Sequence, residues 1–205
     1  MSMSETEMKY LKLARRAREE NNAEDAKKYY DLVRNENPDN VEARFFFPLY
    51  RIWDSQKKDW GNCFIDFCNV VNPCIKAVCE SDMSDDEKKK LLEDMFNESK
   101  DLPYQCNRVL NEINANNSRT SEIRTCGRTG MKMLYGFGDT IEKYCANKPE
   151  IMSIAVEAWK AGVYRQQQWY GMGMDKTLPE KYTAKIQKID PSYVLPKKGG
   201  CIQFA

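Results

Sequence analysis

The residues with the greatest potential for chemistry are four cysteines in one stretch of the chain. Cys63, Cys68, Cys74 and Cys79 are separated by five, six and five positions. Thiolates that bind zinc from one helix lie three or four positions apart or form Cys-x-x-Cys pairs. On a helix, Cys63 and Cys74 share one side, and the other two lie about 140° away, flanking an apolar stripe. The stripe consists of Trp60, Phe64, Phe67, Val71 and Val78. We therefore predict core packing rather than a metal site.

The remaining cysteines fall into two groups. Cys106, Cys126 and Cys145 lie within helical patterns, and we interpret them in the same way, as core residues. Cys201 follows two lysines and two glycines near the end of the chain, where basic neighbours favour the thiolate. A prenylation signal does not fit, because Cys201 is the fifth residue from the end. Cys201 is a candidate site of modification or cleavage, although we favour a cut domain boundary.

The chain lacks the catalytic residues that most hydrolases and transferases use. The chain contains no histidine, which removes Ser-His and Cys-His pairs and every zinc set that includes histidine. Acidic pairs such as Glu93-Asp94 lie near lysines, as surface charge does. The glycines at 127–130 and 136–138 lack the motif of a phosphate loop, so we interpret them as helix-packing residues. We predict no catalytic residue, no metal and no cofactor, and leave open an enzyme that uses buried carboxylates.

The composition limits the partners. The chain of 205 residues has 32 Lys and Arg against 31 Asp and Glu. A protein that neutralises a row of phosphates normally has a basic excess, so nucleic acid is not predicted as a partner. Hydrophobic residues make up 41% and charged residues 31%, which predicts a core beneath a solvated surface.

The first residues and the apolar stretches indicate the cellular compartment of the protein. The first seven residues are polar and acidic, without the apolar region of a signal peptide. Charges interrupt the apolar stretches, so no membrane span is predicted. We expect a cytoplasmic protein that keeps its eight cysteines reduced. The oligomeric state stays open.

Helical periodicity and helix-ending residues dominate the chain, and β-hairpin signals are missing, so the predicted fold class is all-α. The predicted helices cover residues 5–20, 24–36, 41–53, 60–80, 87–96, 105–115, 121–146, 147–170 and 177–189. Three capping pairs are predicted: Asp39 with Glu42, Ser84 with Glu87, and Thr177 with Glu180. Pro48 is expected to kink or shorten the third helix, and Gly127 and Gly130 to allow close approach of a neighbouring helix.

The first two predicted helices carry a regular pattern. Its positions are Tyr10, Leu13, Ala14, Ala17, Ala26, Tyr30, Val33 and Pro38. The alanines let two antiparallel helices touch, the tyrosines fill the space beside them, and the proline turns the chain. This hairpin resembles a tetratricopeptide repeat. The runs Glu-Asp-Ala-Lys-Lys-Tyr-Tyr and Asn-Pro-Asp-Asn extend the resemblance to bacterial tetratricopeptide-like proteins of unknown function. The segment 190–201 resembles a linker that leads, in longer relatives, into a short cysteine-containing box.

The pattern does not continue. One repeat further on, the small position is Pro48 and the groove position is Arg51. Because regular solenoids generally need three or more repeats, the hairpin is expected to dock on a distinct bundle. We predict a hairpin with its following helix at 1–54, a helical bundle at 55–189 and a flexible tail at 190–205.

The predicted function is that of a non-catalytic helical scaffold that binds a peptide or protein partner. The resemblance to tetratricopeptide repeats implies a groove lined by the first helix of each hairpin, which places Leu11, Arg15, Arg18 and Phe45 there. The arginines would pair with acidic groups of the partner, and Phe45 would supply apolar contact. The alternative is a leader or carrier domain that presents the tail around Cys201 for modification or cleavage.

Overall fold

The computed structural model describes residues 3–56, 59–114, 120–169 and 173–199. Within these residues the chain is helical and has no β-strand, which confirms the all-α class. The helices are α1 (Glu5–Glu19), α2 (Ala23–Glu36), α3 (Val41–Asp54), α4 (Trp60–Glu80), α5 (Asp85–Ser99), α6 (Leu102–Asn114), α7 (Thr120–Cys145), α8 (Pro149–Gln168) and α9 (Leu178–Gln187).

Polar side chains fix the starts of the early helices. The side chains of Ser4, Asn22 and Asn40 each accept a hydrogen bond from the backbone N–H three residues later. The predicted capping box at α5 is confirmed, because Ser84 and Glu87 each bond the backbone N–H of the other.

Two local predictions are wrong, and of the two effects predicted for Pro48 one, the shortening, is wrong. The cap of α3 is Asn40 rather than Asp39, and Glu42 is buried instead of completing a capping pair. Thr177 makes no side-chain cap, because its hydroxyl donates to Asp175. Pro48 does not shorten α3, which continues to Asp54.

Helices α1 and α2 form a closely packed hairpin. Ala14 and Ala26 are fully buried where the helices meet, and Tyr30 fills the space beside them. The turn between the helices needs a left-handed backbone, which Asn21 adopts with φ 55°. Asparagine is among the few non-glycine residues that tolerate this conformation. Small residues at the contact and asparagine in the turn therefore account for the hairpin.

Consecutive packing organises the rest of the chain. Helix α2 packs on α3, α3 on α4, α4 on α7, α7 on α8 and α8 on α9. Helices α5 and α6 lie outside this series: α5 contacts α3, α4 and α8, and α6 contacts α4 and α7. The edge of the Phe45 ring meets Phe67 with centroids 5.2 Å apart, so one core crosses the predicted boundary at residue 54. The domain boundary at residue 54 therefore stays a prediction from the sequence pattern.

Residues 190–199 run along the surface of the bundle without forming a helix or strand. Lys160 pairs with Asp190 at 3.1 Å, and the Gly199 N–H donates to the Gln167 carbonyl at 3.1 Å. Tyr193 packs against the core between these two points. The part of the predicted tail that the structure describes is thus held by α8.

No helix within the described ranges combines the length and the apolar character needed to cross a membrane.

Two glycines of α7 differ in what surrounds them. A Cβ added at Gly130 would lie 2.6 Å from Cβ of Pro103, which confirms the predicted close approach at this position. The three atoms nearest to a Cβ added at Gly136 all belong to the side-chain amide of Asn72, the nearest at 2.5 Å. The amide can rotate away without losing a hydrogen bond at its oxygen, since that oxygen accepts none from the described residues.

We predict opposite effects of alanine at these two sites. Helix propensity favours alanine by about 0.8–1 kcal/mol, and Gly136→Ala should show most of that gain. Gly130→Ala should instead lower the free energy of unfolding by about 1–3 kcal/mol, because the proline ring cannot move aside. Urea denaturation of both variants measures the difference, and a stabilised Gly130→Ala protein would contradict the packing at α6.

Candidate functional site

Two of the four residues predicted for the groove, Arg15 and Arg18, meet at Glu42, and a helix of the same chain, α5, covers Arg18. Arg18 on α1 contacts two carboxylates of α5: its Nη2 lies 2.6 Å from Asp94 Oδ2 and its Nε 2.7 Å from Glu98 Oε1. Tyr50 on α3 donates its hydroxyl hydrogen to Glu98 as well. The groove therefore contains an acidic helix that is paired with the arginine expected to recognise acidic groups.

Aromatic rings hold the guanidinium of Arg18 in this position. It stacks over the Phe46 ring, with 4.2 Å between Cζ and the ring centroid. Its Nη1 donates to the Tyr30 hydroxyl at 3.3 Å. Only 12% of the side chain is exposed, so the guanidinium has little water around it and depends on these contacts.

Glu42 is the second centre of the same cluster. Its side chain is 5% exposed and accepts a hydrogen bond of 2.9 Å from the Tyr30 hydroxyl. Arg15 binds it with both Nε, at 3.0 Å, and Nη2, at 2.6 Å. Such a two-point contact is the strongest pairing that arginine forms with a carboxylate. Arg15, Arg18, Glu42, Asp94 and Glu98 are named here the buried ion cluster.

Burial changes the acid–base behaviour of this cluster. It raises the pKa of Glu98 above its ordinary value, although the Tyr50 hydroxyl and the charge of Arg18 oppose the shift. Burial also raises the pKa values of Tyr30 and Tyr50, so both phenols stay neutral and act as hydrogen-bond donors. The cluster is therefore arranged to satisfy charges within the fold.

The structure corrects the roles of the four predicted binding residues. Leu11 and Phe45 are buried in the core and have no surface for a partner. The guanidinium of Arg18 is bound by Asp94 and Glu98 of α5. Arg15 is 56% exposed along its side chain, yet its guanidinium is bound by Glu42. The physical reason is that α5 supplies the carboxylates that bind Arg18, and α4 packs on α3 against Phe45.

Helix α5 cannot leave this position at a small cost. Leu91, Leu92, Met95 and Phe96 are buried beneath it. At about 1.5–3 kcal/mol for each buried side chain, their exposure would cost about 6–12 kcal/mol. This range is similar to the whole stability of a typical domain, about 5–15 kcal/mol. The groove is therefore closed by a permanent part of the fold rather than by an exchangeable segment.

One face of α3 remains on the surface. Arg44, Phe47, Pro48 and Arg51 follow each other at helical spacing, and each is half-buried or exposed. In a regular repeat this side, which includes the small position at Pro48, would pack on the next helix. Here α4 packs on the other side of α3, through Phe45. We call Arg44, Phe47, Pro48 and Arg51, with Arg34 of α2, the α3 outer face.

Arginines dominate the α3 outer face, and their internal pairing is weak. The Arg34 guanidinium stacks over the Phe47 ring at 4.2 Å. Arg34 and Arg51 lie 3.6 and 3.8 Å from the carboxylates of Asp31 and Asp66, too far for strong hydrogen bonds. Arg44 makes no ion pair with a carboxylate in the described part of the chain. The arginines of this face therefore have no carboxylate at hydrogen-bond distance within the described residues.

A second polar cluster anchors α9. Asp139 on α7 accepts hydrogen bonds from Trp159 Nε1 at 3.1 Å, from the Tyr182 hydroxyl at 2.6 Å and from Lys185 at 2.7 Å. Both carboxylate oxygens are thus occupied by groups from α8 and α9. This arrangement suits a structural role, because a carboxylate that acts as a general base needs a free oxygen for the substrate.

The prediction that the cysteines pack in the core is confirmed for the seven in the described ranges. All of them are free thiols; Cys68 is half-buried, and the other six are buried. Burial raises the pKa of Cys74 to about 11 and the pKa of Cys68 further. They therefore behave as apolar residues. Cys201 and the modification predicted for it lie outside the described residues.

The geometry defines a stack of helices in which α5 fills the groove beside α1 and α3. Comparison with known proteins adds no relative. Family models, curated proteins and solved structures give no match to the chain. Among the residues that the structure describes, no group of three or more His, Cys, Asp or Glu side chains could hold a metal ion.

We predict that Arg18→Met lowers the free energy of unfolding by about 1–3 kcal/mol at pH 7, since it leaves the half-buried carboxylates of Asp94 and Glu98 without their cation. The pKa of Glu98 is raised, so its ionisation in the folded protein weakens the fold as the pH rises. Near pH 4, where Glu98 is protonated, the loss should be smaller. Denaturant titrations at both pH values measure this difference.

Arg16→Met is the matched control for that experiment. Arg16 lies on the same helix, its side chain is 73% exposed, and it pairs with Glu20 at 2.8 Å. An exposed pair of this kind contributes at most about 0.5–1 kcal/mol. Equal losses for both variants, or a loss at Arg18 that does not depend on pH, would contradict the buried ion cluster.

Thiol reactivity checks the core position of the cysteines. In a Cys201→Ser protein, the remaining seven thiols should react with a water-soluble disulfide reagent far more slowly in the native state than in denaturant. The main reason is burial, which keeps the reagent away from the sulfur atoms. For Cys68, Cys74, Cys79 and Cys106 the raised pKa values also keep the reactive thiolate scarce. Rapid labelling of any of them without denaturant would place that thiol outside the core.

Proposed function

We propose that the protein is a non-catalytic helical scaffold that binds a protein or peptide partner in the cytoplasm. The tetratricopeptide-like character of the hairpin is part of this proposal. One observation carries it: Arg18 and Tyr50 hold the carboxylates of an amphipathic helix, α5. Recognition of an acidic helix is thus within the chemistry of this fold, and the partner uses an outer surface because the groove is occupied.

The absence of catalytic chemistry in this proposal rests on the state of the carboxylates. Without histidine, a hydrolase of this chain would depend on acidic residues as general acid and base. The two most buried carboxylates of the described residues already have hydrogen-bond donors: Glu42 accepts from arginine and tyrosine, and Glu7 accepts from the side-chain amides of Asn37 and Asn40. Nucleic acid is a poor candidate partner, since the formal net charge is only +1.

The experiment is affinity capture with the complete chain, followed by reconstitution. A tagged copy at its natural expression level should retain one protein in near-stoichiometric amount. That protein, once purified, should form a saturable complex with the scaffold that is measurable by calorimetry. A non-saturable association would not count as binding.

An unrelated helical protein of similar size and net charge serves as the control bait. The two sets of retained proteins should differ in the specific partner. If they are identical, or if no retained protein binds the purified scaffold, the proposal is wrong. Turnover of a substrate by the isolated chain would likewise contradict the non-catalytic assignment.

A further inference from the structure

We propose that the α3 outer face is the docking site for an acidic amphipathic helix of the partner. This inference rests on the proposed scaffold function and names the surface and the partner's chemistry. The argument compares two faces of one helix. On the inner face, Arg18 stacks over Phe46 and receives two carboxylates; on the outer face, Arg34 stacks over Phe47 at the same 4.2 Å and receives none at hydrogen-bond distance.

The spacing of the arginines fits a helix. Arg44 and Arg51 are seven residues apart on α3, which corresponds to about 10 Å along the axis. Phe47 lies between them, with the Arg34 guanidinium above its ring. Acidic residues at positions i and i+7 of a docked helix have the same separation, and an apolar residue at i+3 or i+4 would meet Phe47. The occupant is therefore an acidic helix with one apolar stripe.

The charges on this face are available for new contacts. In the buried ion cluster, arginine nitrogens approach carboxylate oxygens to 2.6–2.7 Å. On the outer face the corresponding separations are 3.6 and 3.8 Å, and the side chains of Arg34 and Arg51 are 39% and 51% exposed. A partner carboxylate placed between the arginines can form two-point contacts without breaking a strong internal pair.

A nucleic-acid backbone suits the face less well than an acidic helix does. Asp31 and Asp66 border the arginines and would repel a row of phosphates. At the end of α3, Lys27 is paired with Asp54 and adds no free cation. Three arginines around one aromatic ring match a short acidic and apolar segment better than a continuous polyanion.

The test uses a fluorescent alanine-based peptide of about eighteen residues, long enough to form helix. It carries Glu at i and i+7 and Leu at i+3 and i+4, and its control has Gln in place of Glu. Fluorescence anisotropy with the full chain should give saturable binding that weakens with salt. Arg44→Glu with Arg51→Glu should weaken binding about tenfold or more, because attraction becomes repulsion.

Two further variants keep the result interpretable. Lys9→Glu with Arg16→Glu, at exposed positions of α1, changes the net charge equally and should leave binding within about twofold, since α1 supplies no residue of the face. Arg44→Gln with Arg51→Gln removes the cations without adding charge and should also weaken binding, which covers the case in which the glutamate variant does not fold.

Four results would overturn the assignment: no saturable binding, equal binding of the Gln peptide, equal loss in the α1 variant, or tighter binding of a single-stranded oligonucleotide. The scaffold function is judged separately, with the captured partner. If the purified partner binds the Arg44→Gln, Arg51→Gln protein as well as it binds the original chain, the docking site is wrong and the scaffold function stands.

Discussion

The contact of Arg18 with Asp94 and Glu98 is the constraint on which the rest of the arrangement depends. It joins the first helix of the chain to the fifth across a separation of 76 positions. Around it, Tyr30, Tyr50 and Glu42 bring α2 and α3 into the same network. A buried ion pair contributes little net stability, but a missing partner is severely destabilising. The cluster therefore fixes where α5 lies, while the apolar residues under α5 supply the energy that keeps it there.

Filling the groove has a consequence for the opposite side of α3. Helix α3 packs on α2, and its buried apolar residues decide on which of its sides α4 packs. Phe45 directs α4 to one side of α3, where Phe67 packs against it and Ile52 is also buried. The other side has arginines and a proline where a repeat would have small residues, so no helix of the described chain can pack there closely. The outer face thus results from the same packing that closes the groove.

The sequence predicts the local parts of this structure and misses the long-range ones. Helix limits, the alanine contact at Ala14 and Ala26, the cap at Ser84 and the buried cysteines follow from spacing and residue type within one or two turns. The position of α5 does not, because nothing near Asp94 indicates that its partner is Arg18. Glu42 misled the prediction because an acidic residue in a first turn normally caps or stabilises a helix. Its burial depends on Arg15 and Tyr30, which other helices supply.

The arginines of this protein are of two kinds: those bound closely by carboxylates of the fold, and those without a carboxylate at hydrogen-bond distance. An arginine whose nitrogens all have close partners, like Arg18, is bound to its own fold, and changing it changes stability. An arginine stacked on an aromatic ring but distant from carboxylates, like Arg34, is oriented without being satisfied. A side chain that is held in place but still has unused hydrogen-bond donors suits a recognition surface. It loses little entropy on binding and gains a charge-assisted contact. The difference between 2.6 Å and 3.6 Å in arginine–carboxylate separation therefore distinguishes the internal contact from the surface that we propose for docking.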